Sequence, residues 1–123
     1  MIKLVFALRR LPHLSRAQFQ QYWHEEHGPL VAKFQTELRI RRYVQIHTAE
    51  QPVNELLRSS RGAPEPFDGV AELWWDSLED LAAALEQPAG REAGAALLED
   101  ERRFIDHARS PLWVAEEHIV IDG

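Results

Sequence analysis

The chain predicts an α+β domain with a ferredoxin-like, four-stranded antiparallel sheet and helices on one face. Three observations carry that reading. Apolar residues alternate over residues 2–8, and a second apolar run fills 70–75. Each of these runs leads into a helix opened by a serine, Ser15 and Ser77, with Gln18 and Asp80 three positions on. The elements then read strand, helix, strand, strand, helix, strand, with one helix and two strands in each half.

In the first strand Ile2, Leu4, Phe6 and Leu8 point one way and Lys3, Val5 and Ala7 the other. Phe19, Trp23, Leu30 and Phe34 recur at helical spacing after Ser15, with Tyr22 beside the stripe. Gly28-Pro29 predicts a break, because proline lacks an amide donor and crowds the preceding turn. A first helix is therefore expected to about Glu26 and a second segment over 30–37, with His27 at the break. Residues 39–47 read as a strand with Tyr43, Gln45 and His47 on one face. The stretch 48–66 reads as a long loop with one helical turn over 53–57. After the strand at 70–75 and the Ser77 helix, Pro88 to Gly94 marks a break or a new start, 95–108 a helix and 112–121 the last strand.

All 123 residues suit a single domain, 1–123, with the 48–66 loop inside it. The 45% hydrophobic fraction supports a core, and the absence of cysteine excludes a disulfide scaffold, a thiolate nucleophile and cysteine-ligated metal. A net charge of -6 argues against nucleic acid as a partner, despite the short cluster Arg39, Arg41 and Arg42. No apolar run approaches the roughly 20 residues of a membrane span, and the N-terminus lacks the layout of a secretory signal, so a cytoplasmic protein is expected. Glycine-rich phosphate loops, dinucleotide fingerprints and nucleophile elbows are missing, and the two lysines, Lys3 and Lys33, give a Schiff base no support.

The densest polar motif is Tyr22-Trp23-His24-Glu25-Glu26-His27-Gly28-Pro29. His24 and His27 are three apart, not the four of the zinc-helix signature, and no third ligand is evident, so no metal site is expected. His27 is the candidate general acid or base, against the alternative of a structural histidine at a helix end. Glu72 stands in an otherwise apolar strand. It either enters an aromatic-lined space as a second acid or base, or faces away from the helices and pairs with an arginine. Arg109 could hold a substrate oxyanion or close a helix-terminal salt bridge. Tyr22, Trp23, Tyr43, Trp74 and Trp113 are the candidate pocket walls; a dimer seam would also use such aromatics. The sheet face away from the helices is too apolar to be bare, which suggests a homodimer through the sheets.

These residues resemble the EthD-domain family of the dimeric α+β barrel superfamily. The resemblance rests on Ile2 to Phe6 with Leu14-Ser15 and Phe19, on Tyr22-Trp23 with His27-Gly28-Pro29-Leu30, on Phe67 to Trp74 with Ser77-Leu78-Glu79, and on Asp100-Glu101 with Phe104-Ile105-Asp106, Val114 and Glu117. It implies a homodimer whose sheets face each other, with a cavity in each subunit between sheet and helices. It also carries His27 over as the functional residue, Tyr22 and Trp23 as walls, and Glu72 as a strand acid. Relatives include proteins of ether-degradation gene clusters and others similar to polyketide cyclases, dehydratases, decarboxylases, cofactor-free monooxygenases and isomerases. The expectation is a cofactor-free enzyme that moves a proton on an aromatic, polyketide-like or other enolisable molecule. The alternatives are a non-catalytic dimer that binds a small hydrophobic ligand, or a haem-binding dimer with His27 or His107 as ligand.

Overall fold

In the computed structural model, which describes residues 1–123, four strands pair antiparallel in the order β2-β3-β1-β4. They are β1 (Ile2–Leu8), β2 (Arg42–His47), β3 (Gly69–Trp75) and β4 (Leu112–Ala115). Register fixes the faces. Phe6 opposes Ala71, Leu4 opposes Leu73 and Ile2 opposes Trp75, while Tyr43 opposes Leu73 on the other side of β3. All of these belong to or pack on the helix-side core. Strand alternation then sends Lys3, Val5, Val44, Val70, Glu72, Trp74 and Trp113 to the outer face.

The helical elements are α1 (Arg16–Tyr22), a π-helical turn (Trp23–His27), α2 (Gly28–Lys33), α3 (Gln35–Leu38), α4 (Val53–Arg61), α5 (Leu78–Glu86), α6 (Pro88–Glu101) and a 3-10 turn (His107–Arg109). Ser15 accepts from the Gln18 amide in a reciprocal capping box, and Ser77 accepts from the Asp80 amide. The expected break at Gly28-Pro29 does not occur. The π turn bonds the Gly28 amide to the Trp23 carbonyl, and Pro29 falls in the first turn of α2, where no donor is needed. The chain therefore stays helical through the proline.

Other boundaries shift for local reasons. Arg39 takes the left-handed conformation that ends α3, so β2 starts at Arg42, not at 39. The 48–66 stretch holds the full helix α4, whose Leu56 and Leu57 remain exposed. The helix expected over 95–108 begins at Pro88 and ends at Glu101; Phe104 and Ile105 lie beyond it yet are buried. The last strand stops at Ala115. No helix is long and apolar enough to cross a membrane.

The core divides in two. One cluster gathers Phe6, Leu8, Phe19, Trp23, Phe104 and Ile105; the other gathers Val31, Leu38, Ile40, Trp75 and Leu81. Tyr43 and Leu73 touch both. Each large buried side chain contributes about 1.5–3 kcal/mol through area removed from water. The seam between the clusters is not filled.

Candidate active site

That seam is a cavity of about 270 Å³ between the sheet and the helices. Its wall is almost wholly apolar, and its polar members are His27, Tyr43 and Glu101. Trp23 forms one wall, and Leu85 and Leu112, both exposed, also border it.

The π turn places His27. Trp23 and His27 are buried, whereas His24, Glu25 and Glu26 face solvent. Gln45 reaches from β2 and donates to the Trp23 carbonyl at 2.9 Å, which ties the π turn to the sheet. Gly28 permits this approach, since a Cβ there would lie 3.2 Å from the Gln45 amide nitrogen. His24 does not join His27: it meets His47 edge-on at 5.9 Å, and His47 stacks on Trp23 at 4.5 Å. Burial lowers the His47 pKa, and the charge of His24 adds to that effect.

His27 Nδ1 is 2.8 Å from Asp100 Oδ2, and the Tyr22 hydroxyl donates to Asp100 Oδ1 at 2.5 Å. A carboxylate only accepts, so Nδ1 carries the proton, and in the neutral imidazole Nε2 keeps its lone pair. Nε2 has no protein partner, and no buried polar side-chain atom in the molecule is left unpaired, so Nε2 reaches open space. His27 itself belongs to the cavity wall. Burial, followed by the Asp100 carboxylate, pushes the Tyr22 pKa up to about 12.

Tyr43 supplies a second group. Its oxygen accepts from Gln45 at 2.8 Å, which leaves its own O–H free to donate. Burial raises its pKa and keeps it protonated. Glu101, the third polar member, is 3.1 Å from His107 Nε2.

Of the residues singled out in the sequence, His27, Trp23 and Tyr43 converge on the cavity, with Tyr22 behind His27 through Asp100. Glu72, Trp74 and Trp113 do not. The register with β1 turns them to the outer face, where Glu72 pairs with Lys3 at 3.1 Å, not with an arginine. Trp74 lies there between Lys3 and Arg42 and donates its indole N–H to Glu117. Arg109 is exposed, 3.9 Å from Asp106, and lines a separate polar pocket. Asp100 and Glu101 join the site although the sequence marks them only as carriers of the family resemblance; an acidic pair within an expected helix is indistinguishable in sequence from solvated charge.

Comparison with known proteins agrees with this architecture. The family model described as EthD domain matches residues 11–108. An EthD-family protein of Bacillus halodurans superposes with a TM-score of 0.63 at 21% identity, covering 96% of this chain and 99% of that one. A dimeric protein of ferredoxin-like fold from Bacteroides fragilis gives 0.59 at 10% identity, covering 94% and 95%. SnoaB of Streptomyces nogalater, described as a cofactor-independent oxygenase, gives 0.55 at 16% identity, covering 99% and 97%. No curated protein matches the chain.

Proposed function

The chain belongs to the EthD domain family, and on that footing we propose that it is a small-molecule enzyme in which His27 moves a proton without a cofactor. The observation that carries this reading is the Asp100–His27 hydrogen bond at the wall of an apolar cavity. Asp100 holds the imidazole in one tautomer and stabilises the imidazolium that forms when Nε2 takes a proton.

The substrate that suits the cavity is a small aromatic or polyketide-like compound with an acidic C–H or O–H beside a carbonyl. A volume of about 270 Å³ is just below the range typical of drug-sized ligands, which favours one or two rings. His27 Nε2 takes the proton, and the electron pair stays on the substrate as an enolate or phenolate. The Tyr43 O–H donates to the oxygen on which that charge develops, and the apolar wall strengthens the contact by excluding water. Return of the proton to another carbon gives isomerisation. Attack of the enolate carbon on a neighbouring carbonyl gives cyclisation, and loss of a hydroxyl as water gives dehydration. The description of SnoaB as a cofactor-independent oxygenase supports catalysis without a cofactor on this fold.

The working unit is a homodimer through the outer sheet faces. Val5, Val44, Val70 and the exposed Ile46 and Trp113 are the apolar part of that face, around Trp74 and the Lys3–Glu72 pair, and the similar Bacteroides fragilis protein is described as dimeric. The function is tested by a crystal structure with a soaked aromatic ketone, followed by activity of His27→Asn. This variant keeps a donor for Asp100 and removes Nε2.

A further inference from the structure

A second pocket, of about 290 Å³, lies where β1 ends and β3 begins. Four arginines line it: Arg9, Arg10, Arg16 and Arg109. It adjoins the apolar cavity but is walled from it. Leu8 and Ile105 line the cavity, while Arg9 follows Leu8 in the chain and Arg10 bridges to Ile105.

The four guanidinium groups are not equivalent. Arg10 and Arg16 share the buried carboxylate of Asp68, and Arg16 also reaches Glu50. Arg9 spends two N–H groups on the carbonyls of Pro66 and Glu65 and lies over the Phe67 ring at 4.1 Å. Those partners are neutral, so its position is fixed while its charge stays uncompensated. Arg109 has only the loose contact to Asp106. Asp68 and Glu65 are the carboxylates in the pocket wall, and Glu65 is also engaged by Arg58 at 3.4 Å. A guanidinium has five N–H donors. The hydrogen bonds of Arg9, Arg10 and Arg16 each use two of them, so each guanidinium keeps further N–H groups.

We propose that this pocket binds a small oxyanion of phosphate type, held by Arg9 and Arg109 with Arg10 and Arg16 behind them. The pocket lining sets four arginines against two carboxylates within a chain of net charge -6, an excess that favours an anion. The planar guanidinium fork matches a tetrahedral oxyanion through two parallel N–H···O bonds. The site stands apart from His27, so it does not depend on the proton-transfer reading.

Isothermal titration calorimetry at constant ionic strength, with inorganic phosphate and with phenyl phosphate as probes, tests it. The proposal expects saturable binding of one anion per chain. Arg109→Glu, at an exposed position that leaves the fold intact, weakens binding by about tenfold or more. Arg91→Glu, an equal charge change on an exposed turn of α6, leaves it unchanged. Either order of affinity between the probes supports the site and tells a free from an esterified phosphate. Heats that never saturate, or equal weakening by Arg91→Glu and Arg109→Glu, overturn the proposal.

Discussion

His27 and Asp100, 73 positions apart in sequence, meet at 2.8 Å on the helix side of the sheet. The contact requires the π turn, which turns His27 inward, and α6, which delivers Asp100 to it near its C-terminal end. It gives a lone histidine a fixed tautomer and an adjacent negative charge. The cavity supplies the low-dielectric surroundings in which those two properties count.

Tyr22 reports on this arrangement. Its pKa of about 12 lies above the ordinary value of 10, because burial and then Asp100 disfavour the phenolate. Between those values the unfolded chain has lost the proton that the folded chain keeps. Stability is therefore fully present below pH 10 and declines as pH rises toward about 12. Urea denaturation across this window shows the decline in the wild type and a shallower one in Tyr22→Phe. In Asp100→Asn the Tyr22 pKa moves down only part of the way, because burial persists; absorbance titration of the phenolate measures it.

Asp68 is 2% exposed and holds together the end of β1, the start of α1 and the start of β3. Burial pushes its pKa up, but the Arg10 amide and the Arg16 and Arg10 side chains outweigh that and hold it below the ordinary 3.8. Its contribution to stability is present above pH 3.8 and is lost as pH falls through the lowered folded value. Asp68→Asn leaves the Arg10 guanidinium without its charge partner and Arg16 with Glu50 alone, and costs about 3 kcal/mol at neutral pH. Denaturation midpoints at neutral and acid pH check both: the variant's deficit shrinks in acid. A variant as stable as the wild type at neutral pH contradicts this account.

Two glycines of α6 separate packing from cavity. A Cβ on Gly90 would fall 1.8 Å from the Ala84 carbonyl oxygen, a backbone atom that cannot step aside. Gly90→Ala therefore costs about 3 kcal/mol. Gly94 borders the cavity, and a Cβ there meets nothing within 4 Å. Gly94→Ala gains about 0.5–1 kcal/mol from helix propensity. Gly94→Phe fills the cavity and abolishes binding of a small aromatic ketone while the chain stays folded. Thermal melts and ligand-observed NMR distinguish the three variants.

The outer sheet face carries the dimer prediction. Val44→Glu puts a second carboxylate directly opposite Glu72 on that face. Sedimentation velocity at micromolar concentration is expected to give a dimer for the wild type and a monomer for the variant. A monomeric wild type removes the barrel from the account.

The sequence made β1, β3 and both serine caps legible, because alternation and capping are local signals. The face of Glu72 was not legible, since β3 is apolar on both sides and only the pairing of Val5 with Glu72 decides it. Gly28-Pro29 read as a break because proline normally interrupts the helical ladder; the π turn re-registers the ladder by one residue. His27 was legible as a candidate from its motif. Its partner was not, because nothing local marks Asp100 as the carboxylate that α6 brings to the π turn.

The central claim is that Nε2 of His27 moves a proton within the cavity. Hydrogen–deuterium exchange at the carbon beside the carbonyl of a small aryl ketone, followed by proton NMR in heavy water, tests it most directly. The wild type is expected to accelerate exchange of a ketone that binds the cavity, and His27→Asn to lose about 10²- to 10⁴-fold of that acceleration while it stays folded. Equal exchange rates for the folded variant and the wild type would contradict the claim.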